Sequence, residues 1–282
     1  GHKELFKGLK IDSLEKDWLE YPVFHINLNA GDFTRAGTLE NILEGHVATW
    51  EQVYGRSDIA LTVSGRFKHV LQEAHKRTGR RCVVLVDDYD KPILRALGMG
   101  IETTVNGRRM LLEDYNCNVL RAFYSVFKAA DADLQFVFVT GEGRLAQLLS
   151  YSGFNQLCDI SLTARYDTLC GITQEELEHY FAEPIAAMAA ERGISVDEMK
   201  VLLKRQYGGY HFSEKMTDVY NPYSLYNAFS SGDMWAYGFT MGSPTYMARM
   251  MPLMHSNFYE ITRGFHMMDF FTNYRAETGN LL

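Results

Sequence analysis

One short apolar run constrains the fold of this chain more than any other feature. Residues 82–86 read Cys-Val-Val-Leu-Val and end abruptly in Asp87 and Asp88. The length of the run and its β-branched residues predict a strand buried on both faces, as in a parallel sheet. Ligands of α/β proteins bind beyond the carboxyl ends of such strands. The run therefore predicts both the fold class and the edge of the sheet where chemistry would lie.

Strand patterns and helix patterns alternate along the first part of the chain. Strands are predicted at residues 21–28, 82–86, 134–139 and 158–162, and helices after an N-cap at Thr38, over about 66–76 and around 120–127. Alternating strands and helices are typical of a mainly parallel sheet flanked by helices. The sequence thus predicts an α/β architecture.

The pattern changes to helices alone in the second part of the chain. Thr173 and Ser195 each stand three residues before a glutamate, which is the signature of a capping box at a helix N-terminus. The predicted helices cover about 174–191, with Pro184 at a kink or a break, and 196–206. We therefore expect an α/β core over residues 1–171 and a mostly helical region over residues 172–282.

Composition narrows the classes of function. The formal net charge is −7, which argues against a chain-wide basic surface for nucleic acid, although a local patch stays open. No run approaches the roughly 20 apolar residues of a membrane span. The four cysteines have no zinc-binding spacing, and a reducing cytoplasm is the simplest expectation for them.

The acidic pair at the end of the apolar run is the main candidate for catalysis. In a Walker B site the first acid, Asp87, would hold Mg²⁺ and the second, Asp88, would orient the attacking water. Neighbouring side chains on a regular strand point to opposite faces, so the strand must unwind for both to share a site. A solvated strand end is an equal alternative, because aspartate is common in turns. A metal-dependent phosphodiesterase that also uses Asp90 is a third.

Two weaker motifs follow. Thr140, at the end of the next predicted strand, is a candidate sensor of a nucleotide phosphate. Residues 141–146 match the Gly-x-Gly-x-x-Gly/Ala dinucleotide fingerprint, with Asp159 downstream, although a simple glycine turn is the better interpretation. The aromatic and glycine residues at 207–212 suit packing of a loop-rich region better than base stacking.

Seven segments, taken together, point to a known family. They are Lys-Glu-Leu-Phe-Lys-Gly-Leu at 3–9, Val-Leu-Val-Asp-Asp-Tyr-Asp-Lys-Pro-Ile at 84–93, Phe-Tyr-Ser-Val-Phe-Lys at 123–128, Phe-Val-Phe-Val-Thr-Gly at 136–141, Cys-Gly-Ile-Thr at 170–173, Tyr-Gly-Gly-Tyr at 207–210 and Gly-Ser-Pro-Thr-Tyr at 242–246. In this order they resemble the bacterial AAA-ATPase-like family over nearly the whole chain to about residue 250.

The resemblance implies a P-loop NTPase core that uses ATP and Mg²⁺. By this resemblance Asp87 binds Mg²⁺ through water, Asp88 positions the attacking water and Thr140 senses the phosphate. Arg144 would replace a basic residue that the family carries after its Thr-Gly pair. The family usually has glutamate where this chain has Asp88, which is shorter by one C–C bond of about 1.5 Å.

The resemblance also implies parts that this sequence lacks. No Gly-x-x-x-x-Gly-Lys-Ser/Thr motif occurs, and in the family that phosphate-binding loop precedes the segment at 3–9. A C-terminal PD-(D/E)XK nuclease-like domain, frequent in the family, is missing as well. The chain therefore looks like a fragment, and we expect it to bind ATP poorly as it stands.

Two functions follow as expectations. The first is ATP binding and Mg²⁺-dependent hydrolysis coupled to a conformational change, with a protein partner or a second copy of the chain as possible additions. The second is a catalytically degenerate ATPase fold that serves as an interaction or regulatory module.

Overall fold

The computed structural model describes residues 2–142 and 157–237, which fall into two compact units divided after Leu157. In the first, the elements are α1 Lys10–Leu14, β1 Val23–Asn27, α2 Thr38–Tyr54, α3 Val63–Thr78, β2 Cys82–Asp87, α4 Lys91–Ala96, β3 Glu102–Val105, β4 Arg108–Leu111, α5 Leu112–Ala129 and β5 Leu134–Val139. This order confirms the α/β fold class. The expected boundary near residue 171 stays a prediction.

A parallel sheet of three strands forms the centre of the first unit. The strand order is β1-β2-β5, so the strand that carries the acidic pair lies in the middle. Asn27 pairs with Asp87 across β1 and β2, and Val86 pairs with Val139 across β2 and β5. Because all three strands run parallel and in this register, their carboxyl ends reach the same edge.

Helices α2, α3 and α5 supply the apolar layer beside the sheet. Phe24 of β1 contacts Trp50 of α2 and Phe67 of α3, and Phe67 stacks on Phe123 of α5 at a centroid distance of 5.1 Å. Along β2 buried residues alternate with half-buried ones. Within the described residues, β2 is therefore buried on one face, where helices α2, α3 and α5 pack, and half-buried on the other. The prediction that both faces are buried holds for the first face only.

A buried ion pair joins two of these helices. The Arg66 guanidinium on α3 donates two hydrogen bonds to Glu51 on α2, at 2.8 and 2.6 Å, and also contacts Glu44. Arg66 is 6% exposed and Glu51 9% exposed. Hydrogen bonds from Arg66 outweigh burial and hold the pKa of Glu51 below its usual range. This bidentate pair fixes α2 against α3.

The second unit consists mainly of helices. Its elements are β6 Ile172–Thr173, α6 Gln174–Tyr180, α7 Ala182–Arg192, α8 Val196–Tyr207, β7 Val219–Tyr220 and α9 Pro222–Ser231. Both predicted capping boxes are present, with Thr173 accepting from Glu176 N and Ser195 from Glu198 N. Within the aromatic segment 207–212, Tyr207 is buried whereas Tyr210 is 43% exposed, so the prediction of packing holds for Tyr207 and not for Tyr210. The region predicted as one helix with a break divides at Phe181.

Two local predictions are wrong. Residues 158–162 are not a strand, because the Asp159 carboxylate accepts from Ser161 N and the Thr163 N–H donates to Ile160 O, which closes a turn. Thr38 is the first residue of α2 rather than its N-cap. Gly37 takes that position with φ of 85°, which glycine adopts without steric cost.

Candidate active site at the carboxyl edge of the sheet

The carboxyl ends of all three strands converge on Asp87 and Asp88. Asn29 follows β1, the two acids end β2, and Thr140 follows β5. Backbone hydrogen bonds between the strand ends hold this edge together. Leu28 N donates to Asp87 O at 3.2 Å, and Thr140 N donates to Val86 O at 2.8 Å. The candidate side chains therefore lie at or directly after the ends of strands that are bonded to one another.

Asp87 and Thr140 are in direct contact. The Thr140 hydroxyl donates to Asp87 Oδ1 at 2.7 Å, and both residues are half-buried. One carboxylate oxygen is thus fixed by a protein donor. The remaining lone pairs of a carboxylate can accept from water or approach a cation.

Asp88 leaves the strand, as a shared site requires. Its φ is 55°, in the left-handed region that aspartate tolerates better than most residues. Its carboxylate Oδ2 lies 3.3 Å from Lys91 Nζ, and the same ammonium contacts Asn29 Oδ1. A side chain at the end of β2 is therefore linked through Lys91 to the end of β1.

The third acid of the series serves another role. Asp90 is completely buried, and its Oδ1 accepts the Glu142 N–H at 3.2 Å. Tyr89 N donates to Thr140 O at 2.9 Å, so two bonds join the turn after β2 to the turn after β5. In residues 2–142 and 157–237 no three His, Cys, Asp or Glu side chains are grouped to hold a metal ion. The described chain thus offers no three-acid phosphodiesterase site.

Gly141 makes this junction of turns possible. A Cβ at this position would lie 2.5 Å from ring atoms of Tyr89 and 2.6 Å from Asp90 Oδ1. Such distances are well inside van der Waals contact, so a side chain would force the two turns apart.

Burial raises the pKa of Tyr124 well above its usual value, and the nearby Tyr89 and Asp90 raise it further.

The edge carries carboxylates of the kind that hold a nucleotide-bound Mg²⁺. In nucleotide enzymes this ion is held by one or two carboxylates together with waters and substrate phosphates, so a three-acid cage is not needed. Asp87 has one oxygen fixed by Thr140, and Asp88 lies next to it in the chain. The residues present therefore fit an ion that arrives with phosphates.

Not every predicted site residue can be placed. Arg144 lies outside the described residues, as do Gly143 and Ala146 of the dinucleotide fingerprint. The structure also adds two residues to the site, Lys91 and Asn29, for which the sequence reasoning gave no role. Lys91 belongs to the conspicuous segment at 84–93, but its contact with Asn29 depends on the pairing of β1 with β2.

None of the helices in the two described stretches combines the length and apolar character needed to cross a membrane.

Comparisons with known proteins identify the family of this chain. Residues 1–148, slightly more than half of the 282, match a family described as predicted AAA-ATPase. A protein of Azotobacter chroococcum mcd 1, described as an uncharacterized protein in the vnfD 5' region, is 31% identical over 252 residues. The alignment covers 89% of this chain and 44% of that relative, so the chain spans less than half of the relative's length. No solved structure matches. Membership supports an ATPase-like function in general terms, and the chain belongs to the predicted AAA-ATPase family.

Proposed function

We propose that the carboxyl edge of the sheet binds Mg²⁺·ATP and hydrolyses it, and that hydrolysis drives a conformational change. The observation that carries the proposal is the convergence of Asp87, Asp88 and Thr140 on one edge, with Thr140 bonded to Asp87 at 2.7 Å. The choice of ATP as the nucleotide rests on family membership.

Each residue has a defined part in this reaction. Mg²⁺, when bound with the nucleotide, neutralises charge that develops on the phosphates. Asp87 would hold the ion through water, on the carboxylate that Thr140 orients. Asp88 accepts a hydrogen bond from the attacking water and directs it in line with the phosphorus. Thr140 would sense the phosphate through Asp87, because its single hydroxyl hydrogen is donated to that carboxylate. Arg144 would add positive charge after β5.

The proposal includes a phosphate-binding loop that this sequence does not contain. Backbone N–H groups and a lysine of such a loop hold the β- and γ-phosphates. Without them, two carboxylates repel an anionic nucleotide. We therefore expect weak ATP affinity for these 282 residues alone, and stronger affinity in a longer form that carries a Gly-Lys-Ser/Thr loop upstream.

The test compares ATP binding and turnover in this chain and in the longer form. We expect binding and turnover in the longer form only, and their dependence on Mg²⁺. Asp87→Asn removes one charge with little change of shape and should abolish the Mg²⁺ dependence. Mg²⁺-dependent binding on the order of micromolar by this chain alone contradicts the assigned need for the loop.

A degenerate ATPase fold that acts as an interaction or regulatory module is the second candidate. The observation that favours it is Asp88, which is shorter by one carbon than the family's glutamate. A partner could be another protein or a second copy of the chain. If wild-type partner binding survives in Asp87→Ala while no form turns over ATP, this candidate replaces the first. A cytoplasmic location is proposed for either function.

A further inference from the structure

Lys91 is the cation of this edge that the proposed reaction does not yet use. Its ammonium lies 3.3 Å from Asp88 Oδ2, and its side chain is only 14% exposed, against 23% for Asp88. Ion pairs shielded from solvent in this way are screened less by salt than surface pairs. The contact is thus a defined part of the edge.

The backbone arranges the pair. Lys91 N donates to Asp88 O at 3.0 Å, which closes a turn and brings the two side chains to the same side. The left-handed φ of Asp88 is what allows this turn directly after the strand. On its other side the ammonium contacts Asn29 Oδ1, which belongs to the neighbouring strand end. The Lys91 ammonium therefore contacts the ends of both β1 and β2.

An ammonium has three N–H donors, and the described structure records two acceptors for them, Asp88 and Asn29. A carboxylate offers about four lone pairs, of which Lys91 takes one. Asp88 Oδ1 thus keeps its capacity to accept from water while Oδ2 is fixed. A short acid that must place a water gains from such an anchor, because aspartate has fewer atoms with which to adjust its reach.

We propose that Lys91 is a positioning residue, anchored on Asn29, that holds the Asp88 carboxylate in the orientation needed to accept a hydrogen bond from the attacking water. The inference rests on the proposed ATPase function. It assigns Lys91 a role through Asp88 and no contact with the nucleotide. Loss of the ammonium should therefore lower kcat and leave the KM for ATP unchanged.

The experiment measures Mg²⁺-dependent ATP turnover in the longer form of the chain that carries a Gly-Lys-Ser/Thr loop upstream. Lys91→Met keeps the length of the side chain and removes the charge. We expect kcat to fall about 10-fold, which is less than the roughly 100-fold loss that a misplacement of 1 Å can cause. Lys91→Arg keeps the charge and should recover part of that loss. Lys128→Met, on the exposed last turn of α5, is the matched control and should behave as wild type.

The Asp88→Ala background separates the possible roles of Lys91. If Lys91 acts through Asp88, adding Lys91→Met there causes no further loss. A further loss, or a raised KM with kcat unchanged, overturns the inference and indicates direct contact with the nucleotide. Should Lys91→Met fail to fold, Asn29→Ala removes the other anchor and should lower kcat by a smaller factor. A wild-type protein without turnover refutes the proposed function, whereas an active wild type and an equally active Lys91→Met refute the role of Lys91 alone.

Discussion

Replacing Thr140 by valine removes the hydroxyl that fixes Asp87 and changes little else in shape. The bond is 2.7 Å long and its acceptor is a carboxylate, for which a typical net contribution is about 1.5–3 kcal/mol. Both residues are half-buried, and water can replace part of the lost bond. We therefore expect the free energy of unfolding to fall by about 1 kcal/mol, which is below the range for bonds to charged groups and typical of hydrogen bonds in general.

Urea unfolding measures this change in four proteins: wild type, Thr140→Val, Asp87→Ala and the double variant. A direct bond predicts a coupling free energy of about 1 kcal/mol between the two sites. Thr140→Ser keeps the hydroxyl and should retain the coupling. Thr104→Val, on exposed strand β3, controls for the change of residue type and should stay within about 0.5 kcal/mol of wild type. Additive losses would refute the contact between the ends of β2 and β5.

Three further predictions concern other contacts. Gly141→Ala should destabilise the protein by about 1–3 kcal/mol in urea, because its Cβ overlaps Tyr89; an unchanged midpoint would contradict this packing. Arg66 lowers the pKa of Glu51, so wild type should be more stable than Glu51→Gln near pH 7, and this difference in the free energy of unfolding should shrink as pH falls below about 4.5. A difference that grows in acid would contradict a lowered pKa for Glu51. Ser195→Ala should cost about 1 kcal/mol by removing an N-cap, with less helix by circular dichroism at intermediate urea, and equal unfolding curves would argue against it.

The parts of this fold that can be predicted from the sequence are those that depend on local patterns of residues. The length and β-branching of the apolar run before Asp87 favour a strand, and both capping boxes depend on residues three positions apart. The same local reasoning fails at 158–162. Alternating apolar residues there suggested a strand, but the Asp159 side chain bonds to the backbone and stabilises a turn.

The acids of the candidate site can be predicted from the sequence, but the residues that contact them cannot. Asp87, Asp88 and Thr140 each follow an apolar strand, so a parallel sheet brings them to one edge whichever strands pair. The link from Lys91 to Asn29 joins residues 62 positions apart and requires β1 to lie beside β2. Hydrophobic periodicity does not specify strand order. The hydrogen bond of Asp90 to the turn after β5 likewise joins two distant parts of the chain, so local patterns do not predict it.

Whether this edge hydrolyses ATP is decided by Mg²⁺·ATP turnover in the longer form that carries a Gly-Lys-Ser/Thr loop, compared with its Asp88→Ala variant. We expect the unsubstituted protein to hydrolyse ATP, and the variant to bind ATP while its kcat falls by about 100-fold. An inactive wild type, or a variant as active as wild type, would show that this edge of the sheet is not where ATP is hydrolysed.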